Sequence, residues 1–264
     1  MLISAGRVDV FYKDSGTSTP ILFLHGSPDT ADVWDEVFDR LHPMHRCIAP
    51  DLPGFGRTVA PRDFDYSFEN LGHFVDEFVK SLAPELPLNL VTHDFGGAFG
   101  MSWAVQHPEM VRRIVVINHP FFVGDYHWHI WARIYRTPLL GELALRNLNW
   151  PAFHRVVLQG SRRLTTESIR RTYSYLTPEW KHMVLRLYRA ANPANFREWE
   201  PRMQQLTKHL PVLVLWGIHD PWVPSWVAER FGAEKVVRFP ESGHWPPAEV
   251  PDQVAMEIRD FVRV

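Results

Sequence analysis

Short apolar runs recur along the chain at residues 8–12, 21–24, 47–49, 88–92, 114–117, 212–216 and 236–239. Their length and their richness in Val, Ile and Leu predict strands. Stretches with helical spacing lie between them, at 68–82, 98–107 and 251–264 among others. This alternation predicts an α/β fold, a mostly parallel sheet covered by helices on both faces. The rhythm breaks between about residues 120 and 206, where 128–135, 139–148, 166–176 and 179–190 read as helices with no strand between them. Two units are therefore expected: a core of residues 1–120 and 206–264, and a helical cap, or lid, of residues 121–205. The lid would lie over the carboxyl edge of the sheet, where open α/β sheets bind their ligands.

Composition narrows the partners. With 264 residues, 45% hydrophobic and 22% charged, the chain can bury one large core. The formal net charge of −2 gives no electrostatic reason to expect nucleic acid or an anionic membrane, and a small neutral molecule suits it better. Cys47 is the single cysteine, so neither an intramolecular disulfide nor a cysteine zinc site can form. The first residues lack a basic segment followed by an apolar one, and no run is long enough to span a bilayer, so a soluble, cytoplasmic protein is expected. The 22 prolines are scattered, which marks turns rather than a disordered linker.

The densest chemistry lies at Leu90-Val91-Thr92-His93-Asp94-Phe95-Gly96-Gly97-Ala98. An apolar strand meets a helix there through a sharp turn with small residues, Thr92 and Gly96, on either side of Asp94. Such a turn pushes its tip residue out of the sheet, and the N-terminus of the following helix favours a charged carboxylate. Alone, an Asp before a helix would be read as an N-cap. Two later segments change that. Leu210–Asp220 reads as a buried strand ending in a loop with an acid, Asp220, and Ser242-Gly243-His244-Trp245 follows the last strand. The chain order nucleophile, acid, histidine at three strand ends is that of a nucleophile–acid–base triad. Upstream, Leu24-His25-Gly26-Ser27-Pro28 closes another strand, where the N–H of Ser27 would form half of an oxyanion hole and the N–H of Phe95 the other half. Asp51-Leu52-Pro53-Gly54-Phe55-Gly56-Arg57 is given a structural role.

Through His25–Pro28, His93–Gly96 and Gly243-His244-Trp245, the chain resembles the α/β-hydrolase superfamily over essentially its whole length, and within it the branch with an Asp nucleophile. That branch holds haloalkane dehalogenases and epoxide hydrolases. The resemblance implies that Asp94 attacks an sp³ carbon to give an alkyl-enzyme ester. A water activated by His244, which Asp220 orients, then cleaves that ester.

The halide and epoxide chemistries differ in what receives the leaving group. Haloalkane dehalogenases typically hold halide with a Trp after the nucleophile, helped by an Asn in the His-Gly-x-Pro segment or a second Trp from the lid. This chain has Phe95 and Ser27 at the first two positions. Epoxide hydrolases use lid Tyr donors, sometimes His with Tyr, and Tyr188-Arg189-Ala190 resembles the second Tyr segment, with Tyr126 or His127 as the earlier donor. Tyr126-His127-Trp128 also resembles the fluoride-holding pair of fluoroacetate dehalogenases, but the carboxylate-binding Arg beside the nucleophile is missing. The leading expectation is epoxide hydrolysis of a small, largely apolar neutral substrate with water. The alternatives are a haloalkane or haloacid dehalogenase and, from another class, a hydrolase-fold ligand-binding receptor, which has no need of a placed Asp220. No cofactor or metal is implied: there is no dinucleotide Gly motif after the first strand and no metal-spaced His/Glu pair.

Overall fold

In the computed structural model, which describes residues 1–161 and 163–263, eight strands form one sheet. They are β1 (Leu2–Ala5), β2 (Val8–Ser15), β3 (Pro20–Leu24), β4 (Arg46–Pro50), β5 (Leu88–His93), β6 (Val111–Ile117), β7 (Val212–Gly217) and β8 (Lys235–Phe239). Their spatial order is β1-β2-β4-β3-β5-β6-β7-β8. The first two junctions, β1 with β2 and β2 with β4, are antiparallel. Every other junction is parallel. The seven expected strands are all present, and the edge strand β1 is added to them.

The parallel strands are apolar on both faces because helices cover both, and successive side chains point to opposite sides. On one face Leu22, Leu24, Leu90, Ile114, Val116, Val212 and Val214 meet α2 (Phe68–Leu82) and α3 (Gly96–Gln106). Ile21, Phe23, Val91, Val115, Ile117, Leu213 and Leu215 point the other way, onto α1 (Asp35–Leu41) and α11 (Pro251–Val262). The helix expected at 251–264 thus ends at Val262, and Val264 lies outside the described residues.

Between β6 and β7 the described residues form no strand but six helices: α4 (Ile130–Arg136), α5 (Leu140–Arg146), α6 (Trp150–Gly160), α7 (Thr166–Ser174), α8 (Pro178–Ala190) and α9 (Pro193–Thr207). A four-residue helix, α10 (Pro246–Glu249), precedes α11. Side-chain caps start five of these six helices: His129, Asn149, Thr165, Thr177 and Asn192 each accept a backbone N–H of the first turn, while α5 has none. Helices α6 and α9 were not expected. Both carry Pro in the first turn, which reads as a breaker although the first helical position tolerates it, and α9 has Pro201 inside it. Among the described residues no helix is long and apolar enough to cross a membrane.

Candidate active site

Strand β5 ends at His93, and the chain turns into α3 through Asp94, whose φ of +45° lies in the left-handed region that a non-glycine residue occupies at a cost of ~1–3 kcal/mol. The turn is closed by two approaches that only glycine permits. A Cβ on Gly96 would stand 2.0 Å from the Leu24 carbonyl oxygen, and one on Gly26 would stand 2.2 Å from Asp94 Cβ. The helix cap is Phe95, without a side-chain hydrogen bond, so Asp94 is not an N-cap. Instead the Ser27 N–H donates to Asp94 Oδ1 at 2.7 Å.

The loop that carries Ser27 is itself held. The Leu52 N–H donates to His25 Nε2 at 2.9 Å, which fixes the tautomer so that His25 Nδ1–H donates to the Gly26 carbonyl. Asp51 accepts the Ala31 N–H on one oxygen and the Arg57 N–H and Nε–H on the other. The 51–57 loop therefore buttresses the segment facing the nucleophile.

On the far side of Asp94, His244 Nε2 stands 3.6 Å from Asp94 Oδ2, an ion-pair distance. His244 Nδ1–H donates to Asp220 Oδ2 at 2.7 Å. Asp220 is held by three further donors. Asn118 Nδ2–H reaches Oδ2 at 2.8 Å, and the Trp222 and Val223 N–H groups reach Oδ1 at 2.8 and 3.1 Å. Asn118 sits just past β6, has a φ of +37°, and accepts the Gly217 N–H as well. Glu249 accepts bonds from Ser242 Oγ, Gly243 N–H and Ser161 Oγ, and the His244 N–H donates to the Gly160 carbonyl at 2.7 Å. The histidine loop is thereby tied to the end of α6. Neither Asn118 nor Glu249 was singled out from the sequence, because each acts on residues about a hundred positions away or through a loop whose path the sequence does not reveal.

Burial disfavours charge on His244, but Asp220 and then Asp94 outweigh it and raise the imidazole well above its ordinary range. Burial likewise opposes the charge on Asp94, yet His244, His93 and the Ser27 N–H leave the carboxyl below its usual value. Both shifts favour an ion pair between His244 and Asp94. His93 Nε2–H donates to the His244 carbonyl at 2.8 Å, and burial, followed by the charge of His244, lowers His93 to about 4, so it stays neutral beside the pair.

A cavity of about 220 Å³ opens over Asp94, Ser27 and His244, walled by aromatic and aliphatic side chains of α4, α5, α6 and α8. Of the expected leaving-group residues, Tyr188, Tyr126 and Trp128 line it. His127 does not: it is exposed to solvent, and His129 lines the cavity instead. The reason is local, since His129 caps α4 and turns its ring inward while the extended segment before it points His127 out. Two lining groups are already engaged: Trp128 Nε1–H donates to the Ala191 carbonyl at 3.0 Å and the Tyr126 hydroxyl to the Trp222 carbonyl at 3.1 Å. His129 Nδ1 accepts the Ala132 N–H at 3.4 Å, so its proton sits on Nε2. Burial lowers His129 to about 4 and keeps it neutral. Burial, then the charge of Asp94, raises Tyr188 far above the usual phenol range, so its proton is retained. Phe95 is fully buried, with its ring edge-on to Tyr188 at 4.8 Å and stacked on Trp128 at 6.1 Å.

Outside the cavity, His73, Asp76 and Glu77 on α2 bring three possible metal-ligand atoms within 4.8 Å of one another, a grouping not noticed in the sequence. Lys80 pairs with Asp76 there.

The model of the alpha/beta hydrolase fold family matches residues 19–250. Haloalkane dehalogenase 2 of Mycobacterium tuberculosis is 26% identical over 97% of this chain and 91% of its own length. Cis-3-alkyl-4-alkyloxetan-2-one decarboxylase of Shewanella oneidensis is 26% identical over 95% of this chain and 84% of its own. Epoxide hydrolase 3 of Xenopus tropicalis is 27% identical over 92% and 71%.

Proposed function

Since the chain belongs to the α/β-hydrolase family, in the branch of the haloalkane dehalogenases and epoxide hydrolases, we propose that it opens the epoxide ring of a small, largely apolar substrate and hydrolyses the resulting ester. In this reading the core of residues 1–120 and 206–264 carries the reacting groups and the cap of residues 121–205 carries the leaving-group donors. The observation that carries the choice of epoxide is the hydrogen bonding above Asp94. The indole N–H of Trp128 is spent on a backbone carbonyl, and Phe95, with no donor, follows the nucleophile, while the Tyr188 hydroxyl and the neutral His129 ring line the space. An opening ring leaves as an alkoxide, a stronger base than phenolate, and takes a proton from Tyr188 or His129 Nε2–H. A departing halide needs no proton and is better held by paired N–H donors.

Asp94 Oδ2 attacks the less hindered ring carbon, the C–O bond breaks, and the proton passes to the new alkoxide. Forming the ester removes the charge of Asp94. With it goes part of what raises His244, the Asp220 contribution remaining, and His244 passes its proton to the lid donor left deprotonated by ring opening, so it acts as a base only after the first step. Water then attacks the Asp94 carbonyl carbon and its proton moves to His244 Nε2, with Asp220 stabilising the imidazolium. The Ser27 N–H, with that of Phe95, stabilises the oxyanion on the former carboxylate. On collapse the leaving ester oxygen takes the proton from His244 to release the diol, and the Asp94 carboxyl returns its own proton to His244, restoring the starting pair.

The test uses the His244→Gln variant, which keeps the first step and lacks the second. Incubated with a terminal epoxide, it should gain the mass of the epoxide on the peptide containing Asp94. An adduct on another peptide overturns the mechanism. A wild-type preference for a terminal bromide over the epoxide replaces the epoxide reading with the dehalogenase one.

A further inference from the structure

A polar pocket of about 230 Å³ adjoins the reaction cavity, and the two share Pro28, Val157 and Trp245 as a common wall. Asp29 lies beside that wall, on the side of the polar pocket. The residue is 7% exposed, and its carboxyl accepts the Trp245 Nε1–H through Oδ2 at 2.7 Å. No step of the chemistry above uses it.

Trp245 matters because of what it touches. Its ring lies edge-on to His244 at 5.0 Å and 85°, and edge-on to Trp222 at 5.3 Å and 90°. Trp222 in turn lies edge-on to His244 at 4.9 Å and 77°. The imidazole is thus walled by two indoles, and each indole has its own tether: Trp222 through its backbone N–H to Asp220, and Trp245 through its side chain to Asp29. Trp245 shares an apolar cluster with Phe153, Val157 and Ile169 of the helical insertion, none of which can hydrogen-bond its indole N–H. Among the described residues, the Asp29 carboxylate supplies the hydrogen bond that fixes the Trp245 indole N–H.

We propose that Asp29 is a positioning residue for ester hydrolysis: by holding the Trp245 indole it keeps the His244 ring aligned between Asp220 and the Asp94 carbonyl. This rests on the Asp94-ester reading. The first step, in which His244 is only a counter-ion, should be indifferent to the imidazole's angle. The second requires Nε2 to point at the attacking water, where a displacement of about 1 Å can cost about 10²-fold in rate. Acceptance of an N–H needs an oxygen and not a charge, and burial raises Asp29 to about 7, so an uncharged acceptor should serve.

The experiment measures alkylation and ester hydrolysis separately, by rapid-quench mass spectrometry with a terminal epoxide, in wild type, Asp29→Leu, Asp29→Asn, Trp245→Phe and the Asp29→Leu/Trp245→Phe double variant. Asp29→Leu should slow hydrolysis by about 10-fold or more and leave alkylation unchanged. Asp29→Asn should restore it, Trp245→Phe should resemble Asp29→Leu, and the double variant should be no slower than either single one. Equal slowing of both steps, slowing of neither, or failure of Asn to rescue overturns the proposal. A second readout does not depend on the ester: the downfield Nδ1–H proton resonance of His244 should move in Asp29→Leu and return in Asp29→Asn. Should His244→Gln form no adduct on Asp94, the ester reading fails, and this resonance alone decides whether Asp29 positions the ring, an unmoved signal overturning it.

Discussion

Tyr188 and His129 are the two lining groups to which the proposed reaction assigns the proton, and single substitutions separate the roles. Tyr188→Phe should slow alkylation by an epoxide about 10²-fold, the scale of general acid catalysis, and cost far less with a bromide. His129→Asn is the sharper probe. Asn is an efficient N-cap and can replace Nδ1 at the start of α4, so the helix is preserved while the Nε2 donor is lost. Alkylation of the variant should fall about 10-fold or more with its melting temperature kept. A variant as active as wild type assigns the proton to Tyr188 alone. Trp128→Phe gives the complementary result: with its N–H committed to the Ala191 carbonyl, it should lose about 1 kcal/mol of stability and little activity. Single-turnover rates and thermal melts on these variants check all three. Asp94, His244 and Asp220 were legible in the sequence because each follows a strand within a few residues. His129 was not, because residues 126–129 form an aromatic and histidine cluster in which only the backbone path decides which ring faces in.

At the scale of elements, the strand ends act as a template and the loops adjust it. Strands β3, β5, β6, β7 and β8 bring His25, His93, Asn118, Asp220 and Ser242 to one edge of the sheet, so Asp94, Asp220 and His244 meet although they lie far apart in the chain. These strands were readable because burial on both faces makes them continuous apolar runs bounded by turns. The edge strand β1 and helices α6 and α9 were harder. β1 is short and half exposed, and the prolines of α6 and α9 read as breaks unless their place in the first turn is known. The loop contacts lie beyond any sequence pattern, since an approach such as that of Gly26 to Asp94 depends on how two strand ends converge. That approach can be tested. Gly26→Ala would place its methyl group 2.2 Å from Asp94 Cβ, so the Ser27 loop must move away from the carboxylate it bonds. Both chemical steps should slow, by about 10²-fold if the loop shifts by about 1 Å. Circular dichroism and single-turnover kinetics read the fold and the rates, and unchanged rates would refute the close approach.

Across the whole molecule, the histidines set how stability responds to pH. His25, His93 and His119 are fully buried, and burial lowers the pKa of each, His93 to about 4 and His119 to about 3. In the unfolded chain each takes up a proton near 6.5, so as pH falls from there the unfolded state binds more protons and stability is lost until the folded values are reached. Asp29 acts in the opposite sense. Raised to about 7 by burial, it binds its proton in the folded state well before the unfolded chain does, so it adds stability as pH falls from there, one group against these three histidines and His45 and His129, which burial also lowers. His244, raised by Asp220 and Asp94 against its burial, contributes stability that is complete below its unfolded pKa and disappears as pH rises through its folded value. Maximum stability should therefore lie near pH 6.5 to 7, with the melting temperature falling on the acid side before most carboxylates titrate. His119→Gln tests the assignment. A Gln amide can still donate to Thr92 Oγ1, as His119 Nε2 does at 3.1 Å, but it cannot take up a proton. The variant should melt lower than wild type at neutral pH, because the ring's contacts with Phe121 and Phe231 are lost, and should lose less on acidification to about pH 5. Parallel melting curves against pH for the two proteins would show that His119 does not carry its share of the acid sensitivity.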